Sequence, residues 1–95
     1  MSEQTTIRVT IKNRLGLHAR PAMSLVDTAS RFDAQVNVRR VDDASGELVD
    51  AKSIMQVMML AATQGTELEI TASGGDAEKA CSEIKSLVDR GFDEE

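Results

Sequence analysis

The chain is short of several residue types, and each shortage excludes something. Its 95 residues include one cysteine, Cys81, so no internal disulfide framework and no cysteine-based metal cluster can form. There is no Trp or Tyr, and Phe32 and Phe92 are the only aromatics, which leaves little on which nucleobases could stack. Lys and Arg number 11 against 16 Asp and Glu, a net charge of −5. That is the wrong balance for a general nucleic-acid binder, which needs cations to neutralise phosphates. No apolar run approaches the length of a membrane span. The polar opening Ser2-Glu3-Gln4-Thr5-Thr6 lacks the apolar core of a secretion signal. A cytoplasmic protein without membrane insertion is expected. The acidic side chains at 3, 42, 43, 76, 93, 94 and 95 are scattered or terminal, with no metal-ligand spacing and no carboxylate dyad, so neither metal nor cofactor is expected. The length predicts one small domain over residues 1–95, with both ends loose and a thin stability margin.

What is present is aliphatic and regularly patterned. Ile7, Val9 and Ile11 alternate with Thr6, Arg8, Thr10 and Lys12, the period of a half-buried strand. Ala22, Leu25, Val26 and Ala29 recur at helical spacing, predicting a helix over about 19–31. Ala34, Val36 and Val38 alternate again. A turn over 42–46 leads into a short third strand over 47–50, paired with the second as a hairpin. Ser53 is placed to cap a helix over 54–62, closed by Gly65. Leu68, Ile70 and Ala72 mark a fourth strand. Asp76 is the expected cap of a last helix whose buried stripe is Ala77, Ala80, Cys81, Ile84, Leu87 and Val88, and Gly91 suits a left-handed stop. The order is βαββαβα. Alternating strands predict a sheet with one face covered by helices and the other wet.

The only histidine and the only proline stand together in Gly16-Leu17-His18-Ala19-Arg20-Pro21. Proline at a first helical position loses nothing, because its missing N–H would be unpaired there. It therefore marks a helix start, with His18 and Arg20 at or just ahead of the first turn. Free backbone N–H groups and the positive end of the helix dipole suit a phosphate there, and a nearby guanidinium improves the site. An imidazole beside such a cradle can accept a phosphoryl group on a ring nitrogen. Arginine fits better than lysine because its planar fork can bind two phosphate oxygens.

Gly16-Leu17-His18-Ala19-Arg20-Pro21-Ala22 resembles the active-site signature of the HPr family, phosphocarriers of the bacterial phosphoenolpyruvate-dependent phosphotransferase system. Lys52-Ser53-Ile54-Met55 resembles the family's second signature, around its regulatory serine. Gly65 and the strand after it, followed by Ser73-Gly74-Gly75-Asp76, extend the likeness over nearly the whole chain. A lone histidine near a helix start is usually incidental; two signatures in the right order reverse that. The resemblance implies an α+β open-faced β-sandwich, a four-stranded antiparallel sheet under three helices. It also implies a monomer that takes phosphate from Enzyme I on His18, at Nδ1, and passes it to an EIIA-type acceptor, with Arg20 stabilising the phosphate. Ser53 would be the substrate of an HPr kinase/phosphorylase. Three departures stand out: a hairpin over 39–47 about four residues longer than usual, Gln56 where many members have glycine, and Leu15 before the active-site glycine. Asn13 to His18 and the tail Gly91 to Glu95 look more like the nitrogen-related branch. An alternative role is therefore regulatory, signalling by phosphorylation state rather than serving transport.

A carrier docks on a donor and then on acceptors, so one adaptable apolar surface near the histidine is expected. Leu17, Ala22, Ile54, Met55 and Met58 are the candidates, methionine being suited to surfaces that accept several partners. Cys81 reads as core. An unrelated α/β ligand-binding module would leave both signatures unexplained.

Overall fold

In a computed structural model, residues 3–94 are described; residues 1, 2 and 95, which belong to the expected domain span, lie outside them. The elements run β1 (Gln4–Thr10), α1 (Ala19–Ser30), β2 (Gln35–Arg40), β3 (Val49–Asp50), α2 (Ile54–Met59), β4 (Glu67–Ser73) and α3 (Ala77–Asp89), followed by a 3-10 turn at Gly91–Asp93. The strands form one sheet in the order β1-β4-β2-β3, each pair antiparallel. The open-faced architecture expected from the alternating pattern is present.

Register explains why the sheet has two unlike faces. Ile7 and Val38 both pair with Ile70, and Val9 pairs with Leu68. Cross-strand partners share a face, so Val9, Val36, Val38, Leu68, Ile70 and Ala72 point together under the helices, where all are buried. Their intervening neighbours make the wet face. There Glu69 lies between Arg39 (Nε to Oε1, 2.8 Å) and Arg8 (Nε to Oε2, 3.5 Å). The hydrogen bond from Arg39 is the main reason the Glu69 carboxyl is held below its ordinary range.

Several boundaries differ from the sequence reading. Pro21 occupies the third helical position, with His18 as N-cap and Ala22 N–H making the first bond to His18 O (3.0 Å). Proline is still costless there, since that N–H is also an orphan of the first turn. The third strand pairs only at Val49 and Asp50, because the residues before it belong to a separate turn. In that turn Asp43 Oδ1 accepts from Ser45 N (3.0 Å) and Oγ (2.8 Å), while Arg40 forks onto Asp42. Arg40 also ends α2 early, by donating to the carbonyls of Leu60 (3.0 Å) and Ala61 (3.3 Å). Ala61 there is left-handed (φ 49°), so the chain turns before Gly65. Asp76 does not cap α3 with its side chain. Its carboxylate instead accepts from Asp33 N (2.9 Å) and Ala34 N (2.8 Å), fastening the turn ahead of β2.

The core is aliphatic, as composition requires. Cys81 lies within it, and burial raises the thiol's pKa. Phe92 joins the core at 6% exposure. The C-terminal end, expected to be loose, is thus packed down as far as it is described.

Candidate functional site

The loop before α1 is built against the segment between α2 and β4. Ile11 exchanges bonds with that segment (Ile11 N to Thr66 O, 2.9 Å; Gly65 N to Ile11 O, 2.8 Å), and Leu17 N donates to Ala62 O (2.8 Å). Gly16 is left-handed (φ 69°), and a Cβ there would lie 2.4 Å from Ala62 O. No side chain fits that approach, so Gly16 is fixed by contact as well as by conformation. Leu17 plugs into the core beneath it at 5% exposure. Together these contacts set the chain path that delivers His18 to the head of α1.

His18 is the N-cap by backbone, yet its side chain makes no capping bond. The ring is turned to the C-terminal tail. Its Nε2 lies 3.0 Å from both Glu94 Oε1 and Oε2. An ionised carboxylate can only accept, so Nε2–H donates, and in the neutral ring the lone pair stands on Nδ1. Asn13 holds the same carboxylate, donating from Nδ2 to Glu94 Oε1 (3.1 Å) and to Gly16 O (2.8 Å). The Glu94 carboxyl is held below its ordinary value, first by the His18 hydrogen bond, then by Asn13 and the charges of His18 and Arg20. The imidazole is half-buried, its side chain 35% exposed.

Arg20 is exposed and makes no side-chain hydrogen bond or ion pair among the described residues. A guanidinium uncommitted to protein partners keeps its donors for an incoming anion. The backbone N–H groups of Ala19 and Arg20, orphans of the first turn, add two donors beside the ring. Among the described residues no group of three His, Cys, Asp or Glu side chains is arranged to hold a metal ion.

The apolar surface beside this site has a different membership from the expected one. Leu17 and Ala22 are buried, at 5% and 0% exposure, and cannot serve as contact residues. Ala22 sits on the core-facing stripe of α1, and Leu17 supports the loop. Ile54 is partly buried against the core, whereas Met55 and Met58 are exposed, as is Met59 at 76%. Met23, on α1, completes the surface across a groove lined by Met23, Val26, Asp27 and Ile54. Its signal was present in the sequence: an apolar side chain off the buried stripe of its own helix. Ser53 caps α2 through Oγ, which accepts from Gln56 N (3.3 Å). Gln56 in turn accepts at Oε1 from Asp50 N (2.9 Å), tying α2 to β3.

These features match known proteins along the chain. The family model described as "PTS HPr component phosphorylation site" covers residues 5–90. The chain belongs to the HPr family. As a family member it is a phosphocarrier of the phosphotransferase system, and its partners are other components of that system. Similar relatives include a "Phosphocarrier protein NPr" from Proteus mirabilis, 42% identical over 93% of this chain and 94% of that one. A "Phosphocarrier protein HPr" from Pseudomonas putida is 46% identical over 90% of this chain and 92% of the other. Among solved structures, HPr from Thermoanaerobacter tengcongensis superposes with a TM-score of 0.86 at 40% identity, covering 96% of this chain and 98% of that one. Glu94, which holds the histidine ring, and Asn13, which holds Glu94, were the ones sequence reasoning passed over. Asn13, His18 and Glu94, which meet at this site, come from the two stretches whose sequence looks most like the nitrogen-related branch.

Proposed function

We propose that His18 is the phosphoryl acceptor, through Nδ1, and that Arg20 stabilises the phosphate in transit. The observation that carries this reading is the engagement of Nε2 by Glu94, which leaves Nδ1 as the ring nitrogen with a free lone pair. The donor is Enzyme I and the acceptor an EIIA-type protein, each meeting the monomer in the cytoplasm through the apolar surface of Met23, Met55 and Met58. Phosphoryl transfer asks mainly for charge stabilisation and alignment. The N–H groups of Ala19 and Arg20 with the Arg20 guanidinium are enough to supply the first. The protein has no turnover alone, because its phosphorylated form is one partner's product and the next partner's substrate.

Ser53 is the site of a second, regulatory phosphorylation. A phosphate adds nearly two negative charges, and here it would stand directly ahead of Ile54 and Met55 at the docking surface. The fold would tolerate it at a helix start, while an acidic partner would be repelled. The kinase must accept Gln56, whose side chain is committed to Asp50.

The test is phosphorylation by phosphoenolpyruvate and Enzyme I. One acid-labile, base-stable phosphate should appear on the wild-type protein, and His18→Ala should abolish it while retaining the fold. Undiminished label in that variant would refute the assignment. Offering the phosphorylated protein to sugar-type and nitrogen-type EIIA acceptors separates transport from the regulatory role.

A further inference from the structure

The tail after α3 takes an unusual path to reach His18. Gly91 (φ 66°), Phe92 (φ 57°) and Asp93 (φ 61°) are three consecutive left-handed residues. Such a run is disfavoured for residues other than glycine, so the surrounding contacts must hold it. Phe92 is anchored in the core. Arg90 Nε binds Asp93 Oδ1 (3.1 Å), and Glu94 N returns to Gly91 O (3.0 Å). The result of this strained turn is a carboxylate set against Nε2 of His18, with buried Asn13 donating to its Oε1. Strain of this sort, held from several directions, clusters at functional sites.

We infer that Glu94 is a positioning residue for phosphoryl transfer, holding the His18 ring with its hydrogen on Nε2 and Nδ1 directed to the phosphate. This rests on His18 being the acceptor. In the forward step the Nδ1 lone pair forms the N–P bond as the donor's bond to phosphorus breaks and its electron pair leaves with the donor. The Nε2 hydrogen stays in place, so the ring becomes a phosphoimidazolium cation, and the Glu94 carboxylate faces that new charge. In the onward step the N–P electron pair returns to Nδ1, and a neutral imidazole leaves with the same hydrogen still on Nε2. One carboxylate thus serves both directions without a proton changing place. The same logic orients the histidine in serine-protease triads, where a carboxylate fixes the ring and stabilises its cation.

Glu94→Ala and Glu94→Gln, in the full chain, test this through two readouts. Ring nitrogen NMR in mildly alkaline buffer reports the hydrogen bond on Nε2 without any phosphate present. The rate of labelling from phosphoenolpyruvate and Enzyme I reports transfer. The wild type should show a hydrogen-bonded Nε2–H, which Glu94→Ala loses together with about ten- to a hundredfold in rate, the scale of one hydrogen bond to a charged group. Glu94→Gln keeps an acceptor oxygen but no charge, so it should retain more of the Nε2–H signal than Glu94→Ala and still transfer more slowly than wild type. Wild-type rates in both variants, or an unchanged ring spectrum in Glu94→Ala, would overturn the inference while leaving His18 as acceptor. A wild-type protein that takes no label on His18 would overturn both, and is told apart by that result alone.

Discussion

All three α-helices of this protein begin with a polar residue at the N-cap, and two of them use it in opposite ways. Ser53 turns its hydroxyl onto its own helix, accepting from Gln56 N, whereas His18 leaves its helix uncapped and turns its ring to Glu94. The difference follows from what else supports each helix. α2 has six residues and buries only Val57, so a capping bond of about 1 kcal/mol matters to it. α1 has twelve residues and buries Pro21, Ala22, Leu25, Thr28 and Ala29 against the core. Burial of that stripe holds α1 without help from the cap side chain. A side chain at a helix start is released from capping where packing, rather than the cap, keeps the helix in place.

Exchanging the two kinds of cap breaks the comparison most sharply. His18→Ser should abolish phosphorylation outright and, by giving α1 a capping hydroxyl, recover up to about 1 kcal/mol of helix stability. Denaturant unfolding beside a labelling assay would measure both; a large loss of stability would mean that the His18–Glu94 contact matters more to folding than the cap does. Next in size is Arg20→Lys, which keeps the charge but loses the fork. Labelling from Enzyme I should slow by roughly ten- to a hundredfold with no change in unfolding midpoint, the loss expected for a charge-assisted contact. An unchanged rate would make Arg20 an ordinary surface charge.

At the other helix, Ser53→Ala should cost about 1 kcal/mol through the lost cap and leave transfer intact. Ser53→Asp can still cap, but it puts a charge beside Met55. It should slow labelling in low salt and recover as salt screens the repulsion. Equal labelling rates for Ser53→Asp and wild type at low salt would leave Ser53 as a cap and nothing more. The smallest effect concerns pH. The carboxyl of Glu94 titrates lower in the folded protein than in the unfolded chain, because of His18 and then Asn13. Its contribution is therefore present above the ordinary glutamate value, about 4.3, and is lost as pH falls through the lowered folded value. Urea midpoints of wild type and Glu94→Gln should differ near about pH 6 and converge towards about pH 3, across that ordinary carboxyl range. A gap that stays constant with pH would trace to tail packing instead of charge.

The site was half legible in the sequence, and the physical reason is separation along the chain. His18, Arg20 and Pro21 are close in sequence, so helix-start chemistry could be read from one hexapeptide. Asn13 looked like an ordinary loop residue and Glu94 like one of several terminal acids. They meet His18 only because three consecutive left-handed residues bend the tail back and Phe92 anchors it. The expected apolar surface divided in the same way. Met55 and Met58, chosen by helical spacing, are exposed, and Ile54 is partly buried against the core, but Leu17 and Ala22 were assigned by nearness to His18 along the chain, and burial removed them. Asp76 had the composition of a cap, yet two backbone N–H groups from the turn ahead of β2 claimed its carboxylate.

Local physics alone determined the element order, the two faces of the sheet, the aliphatic core and the helix start that carries His18. Each depends on side-chain period or on the conformational limits of glycine and proline, and these act over a few residues. Tertiary structure decided where α2 ends, through Arg40 reaching from β2 to the carbonyls of Leu60 and Ala61 just past it. It also decided which apolar side chains stay exposed and which carboxylate faces the histidine. Those outcomes depend on contacts between segments tens of residues apart, such as the 76 between His18 and Glu94, and no local pattern encodes them.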